Sequence, residues 1–488
     1  MPDLRACGHE SAAPEWRSGP DAIVLRPDLL IVGAGPAGMS AAIVAARAGL
    51  GVVVVDEQPT PGGQIWRGIE ANANSGRAEA LGHEYLSGLK VVRAFRQSTI
   101  DYRPSTKVWQ IESSLRTYVT GGNVTETIEP RSIIIATGAQ ERPTPFEGWT
   151  LPGVMTVGAA QTLLKTPGAI PQEPVWIAGT GPLVLLYAQQ LIRLGGEIAG
   201  FLDTRQSVPV ADALRLGVPA VLTGGRDIAK GLGWYAGIRR HAQRYVRDVV
   251  DLWALGTDRV EGVRYRTSDG RTHHVAASLL LVHEGIVPEV HTVRSLGCEI
   301  RHDPRQRAFV PILSVWGESS VPRVLVAGDA AGIGGAVAAV YRGRLCASRV
   351  VASSEKNSRL QESSAEADCR KGLNRALASR AFLDRLFMPR TKIFLPDAET
   401  IVCRCEELRA SDLRGGMRKS ADSNQLKAST RAGMGPCQGR QCAYTVTSMI
   451  AREAGCAIEE VGPFRIRSPL KPITIRDLVS LAGGPAAS

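Results

Sequence analysis

The sequence predicts an α/β protein in which one Rossmann-like, dinucleotide-binding unit is interrupted by a second, with a small cysteine-bearing unit at the C-terminal end. Three observations predict it. A strand, a glycine-rich turn and a helix follow one another at 28–39, an imperfect copy of that signature stands at 175–184, and four cysteines crowd between 403 and 442.

The first signature is Asp28-Leu-Leu-Ile-Val-Gly-Ala-Gly-Pro-Ala-Gly-Met39. The apolar run from Leu29 to Val32 reads as a buried parallel strand. It enters Gly33-x-Gly35-x-x-Gly38 and then an Ala-rich helical stretch. Gly33 makes the tight turn, Gly35 lets a pyrophosphate approach the backbone, and Gly38 lets helix and strand pack closely. The helix start, with Pro36 and Ala37, offers free N–H groups and a positive dipole end to phosphates. A second apolar strand, Val52 to Val55, ends in Asp56 and Glu57. An acid at that place accepts hydrogen bonds from a ribose hydroxyl. Asp56 fits the usual spacing and Glu57 is the neighbouring candidate; adjacent strand residues point to opposite faces, so one of the two is expected to touch the ribose.

The loop Gln58-Pro-Thr-Pro-Gly-Gly-Gln-Ile-Trp66, with Gly62, Gly63 and Gln64, can lie against a flat or phosphorylated ligand. From Leu89 to about Ile128, short apolar and polar runs alternate, which predicts an antiparallel meander. Ser132-Ile-Ile-Ile-Ala-Thr137-Gly138 is a further buried strand ending at glycine, a second approach of backbone to the same ligand. The prolines after it mark a crossing into a new unit.

That unit opens with Val175-Trp-Ile-Ala-Gly179-Thr-Gly181-Pro-Leu-Val184 and continues to Asp203, where an acid would hold a ribose. Its third fingerprint position is Val184, so helix and strand cannot pack as closely. A retained fold with no working site is nearly as good a reading as one that takes NAD(P) or ATP. At Leu279–Pro288 the chain returns and reaches Val324-Leu-Val-Ala-Gly328-Asp329-Ala-Ala-Gly-Ile-Gly-Gly335. Asp329 is placed to accept from a polyol or sugar hydroxyl, with helix N–H groups behind it. The expected boundaries are a flexible leader over 1–27, the first unit over 28–148 and 284–350, the second over 149–283, a linker and helical segment over 351–396, and the cysteine-bearing unit with its tail over 397–488.

Length and composition agree with this plan. The chain of 488 residues allows about three domains at ~150 residues each. Its 44% hydrophobic and 22% charged residues describe a globular protein. Aromatics make up 5%, and the net charge of +11 is scattered and forms no long basic block, so an acidic partner or substrate explains it better than nucleic acid. No stretch reaches the ~18 uncharged apolar residues of a membrane span. The polar leader lacks a secretion core, which places the protein in the cytoplasm.

Cys403-x-Cys405 and Cys437-x4-Cys442 lie about thirty residues apart among nine cysteines. Four thiolates can hold zinc tetrahedrally or a [2Fe–2S] cluster with two cysteines per iron. The short C-x-C and the glycines beside Cys437 favour the cluster. Cys7, Cys298, Cys346, Cys369 and Cys456 are isolated, and core or surface thiols describe them best. His283 and His291 are the histidines to watch near the return strand, and each reads first as structural. No catalytic acid or base is assigned.

Taken together, the glycine fingerprint, the Asp56-Glu57-Gln58…Gly62-Gly63-Gln64 run, Ala136-Thr137-Gly138 and Ala327-Gly328-Asp329 resemble the flavoproteins with two dinucleotide-binding domains. More closely, the chain resembles the α (A) subunits of opine oxidases and of D-hydroxyproline and related amino-acid dehydrogenases, and a subunit of hydrogen cyanide synthase. The cysteines resemble the bacterioferritin-associated-ferredoxin-like [2Fe–2S] domain that such subunits often carry. The likeness covers about residues 28 to 480.

The resemblance implies FAD on Gly33, Gly35, Pro36, Ala37, Gly38, Asp56 or Glu57, Gly63, Gln64, Thr137, Gly138, Gly328 and Asp329. It implies a [2Fe–2S] cluster on Cys403, Cys405, Cys437 and Cys442. It further implies an electron-transfer subunit of a hetero-oligomeric amino-acid or opine dehydrogenase or oxidase. There a flavin-containing β subunit similar to glycine or sarcosine oxidases oxidises a secondary amine, and electrons leave to a quinone, a membrane pool included, or another acceptor. An FMN at a subunit interface, a peripheral place at the inner membrane and a small ferredoxin-like γ subunit are left open. The rival readings are a self-sufficient NAD(P)H-dependent FAD oxidoreductase, a hydrogen cyanide synthase subunit, and a non-catalytic assembly protein with zinc on its cysteines. No C-x-x-C lies in either nucleotide unit, so a dithiol mechanism like that of thioredoxin reductase has no support.

Overall fold

The structure, a computed structural model, describes residues 24–122, 124–354, 364–418 and 421–481. The expected leader falls mostly outside these residues, as does most of the expected linker, 355–363.

Four-residue runs of β-branched and aliphatic side chains form the first sheet because both of its faces are covered. Its strands are all parallel, in the order Val324–Val326, Ser132–Ile135, Leu29–Val32, Val52–Val55 and Asp101–Arg103. Leu29, Leu30, Ile31 and Ile133 to Ile135 are fully buried. On one face lie the helices Pro36–Arg47 and Ala336–Ala352, which cross so closely that a Cβ on Gly343 would stand 2.1 Å from the Ala37 carbonyl oxygen. The other face meets a four-stranded sheet of Val24–Leu25, Val124–Ile128, Thr117–Gly121 and Lys107–Ile111.

The meander expected from Leu89 is shorter than the alternation suggested. Leu89–Arg96 is a helix, Asp101–Arg103 is an edge strand of the parallel sheet, and the antiparallel strands begin at Lys107. The reason is the spacing of Leu89, Val92 and Phe95, three apart, which makes one helical face. Val92 and Phe95 are buried there, and the Phe95 ring meets Tyr102 edge-on.

A second parallel sheet runs Val154–Thr156, Leu280–Glu284, Val175–Thr180, Ile198–Asp203, Arg244–Val246, and a three-stranded antiparallel sheet packs on it. Between the two parallel sheets the chain crosses twice, and the crossings pair as Ala139–Glu141 with Ile286–Pro288. The helix Val210–His241 connects Ile198–Asp203 to Arg244–Val246, spans 32 residues, carries Pro219 and breaks at Gly224. Residues 401–464 wrap three helices, Ala410–Met417, Ser423–Thr430 and Ala443–Ala454, around Leu413, Leu426, Val446, Ile450 and Phe464. Among the described residues no helix is long and apolar enough to cross a membrane.

Candidate functional site: the glycine turns and the cysteine loops

The first turn is built so tightly that side chains are excluded from it. A Cβ on Gly38 would lie 1.8 Å from the Gly33 carbonyl oxygen, which brings the helix Pro36–Arg47 down onto its strand. Gly35 faces the Gly62-Gly63 loop, its hypothetical Cβ 3.8 Å from the Gly63 Cα. Gly35 caps the helix with no side-chain partner, Pro36 follows at its first turn, and Ala37 and Gly38 are buried. A helix start with unsatisfied N–H groups and a glycine loop above it fits a pyrophosphate.

Both acids at the end of Val52–Val55 already have partners. Asp56 is buried and accepts from the N–H groups of Ala34 and Gln58, and burial raises its pKa. Glu57 is exposed and pairs with Lys471, from the far end of the chain. The Gln64 side chain accepts from Arg67, and its carbonyl, with that of Ile65, accepts from the Lys165 ammonium at 3.1 and 3.0 Å. Lys165 also donates to Gln161 at 3.1 Å, and burial pushes it down to about 7, with Arg67 adding to the effect. Lys165 went unnoticed in the sequence, because a lysine at a helix end looks like an exposed one. Thr137 donates to the Glu289 carbonyl, and the Gly138 carbonyl accepts from the Glu289 N–H at 3.0 Å. Gly328 begins a short 3-10 turn, and Asp329 Oδ1 accepts from the N–H groups of Gly334 and Gly335 at 2.9 and 3.0 Å, holding the loop that starts helix Ala336–Ala352.

The second turn repeats the spelling and reverses the surroundings. The His283 ring lies under it, with Nε2 3.4 Å from a Cβ on Gly181, and Val184 is fully buried. His283 Nδ1 is 2.5 Å from Glu141 Oε1, and Glu141 Oε2 accepts from the Gly158 N–H at 2.8 Å. Asp203 accepts from the Tyr245 hydroxyl at 2.8 Å and the Arg205 N–H at 3.0 Å. The His283–Glu141 pair joins the two units and is, as the sequence suggested first for His283, a buried structural contact.

The four C-terminal thiols fall into two pairs. Cys442 hydrogen-bonds to Cys403, and Cys437 to Cys405. The Cys442 hydrogen bond, together with the backbone N–H groups of Gly433, Glu406 and Cys405, holds Cys403 down at about 6 against its burial. Cys442 is raised well above the ordinary thiol range by Cys403 and by burial. Among the described residues no three or more metal-ligating side chains gather round one point for a single ion. Four thiols in two pairs would suit a two-iron cluster, which takes two cysteines on each iron. The loop between Cys437 and Cys442 is bonded directly to the first fold. Gln140 donates to the Arg440 carbonyl, and His291 Nε2 to the Gln438 carbonyl, both at 2.8 Å. His291 is buried and its pKa is pushed down to about 3, chiefly by burial, so the ring is neutral and its Nε2 carries the proton.

Two parallel sheets of nucleotide-binding type, with a pyrophosphate-ready turn in one, define a flavoprotein oxidoreductase fold. The pyridine nucleotide-disulphide oxidoreductase family matches residues 27–343, and the sarcosine oxidase A3 domain matches 398–481. The opine oxidase A subunit of Agrobacterium tumefaciens (strain Ach5) is 42% identical over 465 residues, covering 93% of this chain and 92% of that protein. The hydrogen cyanide synthase HcnB subunit of Pseudomonas protegens is 32% identical, covering 91% and 96%. The chain belongs to the pyridine nucleotide-disulphide oxidoreductase family and, within it, to the family of the opine oxidase A subunits. Among solved structures, L-proline dehydrogenase from P. horikoshii shares the fold, with a TM-score of 0.66 at 19% identity over 93% of this chain and 80% of that one.

Proposed function

We propose that this chain is the electron-transfer subunit of a hetero-oligomeric amine or amino-acid dehydrogenase, with FAD in the first fold and a [2Fe–2S] cluster on Cys403, Cys405, Cys437 and Cys442. The amine, an opine, D-hydroxyproline or a similar secondary amine, is oxidised on a flavin-containing partner subunit. The observation that carries this reading is the junction of the cysteine loop with the first fold. One thiol of each pair, Cys437 and Cys442, flanks a loop whose backbone is held by His291 and Gln140, next to the Thr137–Gly138 turn. The relatives, which are subunits of opine oxidase and of hydrogen cyanide synthase, support a multi-subunit enzyme.

When bound, FAD would supply two-electron and the cluster one-electron redox chemistry. The chain's own part is positional. Gly33, Gly35 and Gly38 shape the phosphate turn with Pro36 and Ala37 at the helix start, while Asp56 locks the turn through Ala34. Gly63 and Gln64 cover it from the loop that Lys165 anchors. Glu57 stands at the ribose end, and Thr137, Gly138, Gly328 and Asp329 complete the cradle.

The test is an anaerobic absorption and EPR titration of the purified chain, alone and with the flavin-containing partner. Amine is expected to reduce the flavin and the cluster only when the partner is present. Rapid bleaching by NAD(P)H alone would instead make the chain a self-sufficient reductase. Iron analysis adds a check on the cluster: about two irons per chain are expected, lost in Cys442→Ser and kept in Cys346→Ser, whose thiol is buried elsewhere. Zinc in place of iron would overturn the cluster assignment.

A further inference from the structure

Residues 210–223, the first half of the long helix, carry an apolar inner face and an apolar outer face, and among the described residues only the inner one is covered. Inward, Gly217 and Ala220 are buried, and a Cβ on Gly217 would lie 3.4 Å from the Phe382 ring. Arg385 fixes this side through Asp212 at 2.8 Å. Outward, Val210, Leu214, Val218, Val221 and Leu222 are 75%, 62%, 55%, 55% and 81% exposed. At ~100° per residue these five fall within an arc of about 120°. Asp212, Arg215 and Thr223 lie outside that arc, so the outward stripe itself is wholly apolar.

The exposed aliphatic face is on the order of 500 Å², near the top of the range for the largest patch on a monomer. It also supplies much of the ~800 Å² that each partner of a stable interface buries. Within 210–223 the two charged residues are engaged, Asp212 by Arg385 and by Arg215. The face therefore calls for an apolar counterpart. Of the segments outside the described residues, 355–363 holds a single leucine among polar residues, 482–488 holds only Ala, Gly, Pro and Ser, and 1–23 scatters Met1, Leu4, Trp16 and Ile23 among polar and charged residues without an aliphatic four-residue spacing.

The stripe is complementary to itself. Val210, Leu214, Val218 and Leu222 recur every four residues and alternate small with large. Turned about a two-fold axis between Leu214 and Val218, each Leu214 meets Val218 of the second copy, and each Val210 meets Leu222 of the second copy. Ridges four residues apart then interdigitate, the commonest way for helices to pack, across an interface that uses the same patch on both copies. We infer that a second copy of this chain docks here, through an antiparallel pair of the helices at 210–223. This holds whether or not the electron-transfer reading stands.

The test is the mass in solution of the full-length purified chain by light scattering and sedimentation equilibrium, with helix content and flavin absorbance recorded for every variant. A dimer is expected for the natural chain. Leu214→Glu should raise its dissociation constant roughly a hundredfold, because a carboxylate is buried opposite valine. Adding Val218→Lys in the same chain should restore the dimer, since each Glu then faces a Lys across the axis. A monomeric natural chain at micromolar concentration overturns the inference. So does a dimer that ignores Leu214→Glu, or a double variant as weak as the single one. Loss of binding to the flavin-containing partner or to anionic phospholipid vesicles in Leu214→Glu, with the natural chain monomeric, would give the face to that occupant instead.

Discussion

The two glycine turns carry nearly the same spelling and do opposite things. In the first, the middle glycine looks out onto a second glycine loop, with Gly63 the nearest neighbour at 3.8 Å. In the second, the middle glycine looks onto the His283 ring at 3.4 Å, and His283 is anchored on Glu141 from the other unit. At the strand end beside the first turn, buried Asp56 is held by the N–H groups of Ala34 and Gln58 and exposed Glu57 pairs with Lys471; beside the second, buried Asp203 is held by Tyr245 and Arg205. Glycines dictate the backbone path. Whether that path faces a ligand or the protein itself is decided by side chains about a hundred residues away.

The sharpest break of this contrast is Gly38→Val. With a Cβ 1.8 Å from the Gly33 oxygen, the helix must lift off the strand, a strain of about 3 kcal/mol or more. FAD is expected to be lost altogether, by absorbance and by thermal shift with added FAD. The same change in spelling is natural at Val184, which the second fold buries without harm. If Gly38→Val keeps full flavin occupancy, the first turn is no more demanding than the second and the contrast fails.

Next in size is an attempt to open the second turn. Val184→Gly with His283→Ala removes the side chains that fill it, at a stability cost of about 2–4 kcal/mol. The natural chain is expected to bind NADH poorly, and the double variant at least about tenfold better, since one to two kcal/mol of access is regained. Tight NADH binding by the natural chain, read by fluorescence quenching, would show that His283 moves aside and is no plug.

Much of this arrangement was legible in the sequence. The strand–turn–helix order at 28–39 and its imperfect copy at 175–184 are local patterns, and local patterns survive into the fold. The Leu89–Arg96 helix was missed because eight residues give barely two turns, and three-residue spacing in so short a run mimics alternation. Lys165 was missed for a different reason. What makes it unusual is the pair of carbonyls at Gln64 and Ile65, and no pattern near residue 165 reports them. The pairing of Cys403 with Cys442, and not with its neighbour Cys405, is likewise a tertiary fact.

Lys165 joins the two regions, because it sits on the second unit and holds the loop over the first turn, and its effect is readable as a pH dependence. Burial lowers its pKa from 10.5 to about 7. Between those values the unfolded chain holds a proton that the folded chain has released, so stability rises with pH through this window. Below about 7 both states are protonated and the contribution is flat at its lowest. For one whole proton the slope is about 1.4 kcal/mol per pH unit. Urea unfolding at several pH values is expected to show this slope in the natural chain and not in Lys165→Met. Equal slopes in the two proteins would mean that the ammonium is not buried between the units.

The smallest expected effect separates the two acids of the first turn. Asp56 is part of the turn itself, since its carboxylate satisfies the N–H groups of Ala34 and Gln58 in a buried setting. Asp56→Asn keeps the shape, loses one acceptor, and should cost about 1–3 kcal/mol of stability with or without cofactor. Glu57 is exposed and bound only to Lys471, a kind of pair worth about 0–1 kcal/mol. Glu57→Gln should leave stability within that range and weaken FAD less than about tenfold, because a glutamine can still accept one ribose hydrogen bond. The acid whose variant lowers FAD affinity while stability is unchanged is the one that touches the ribose. If that variant is Asp56→Asn, the buried carboxylate turns outward when the cofactor binds, and the first turn is less rigid than its glycines imply.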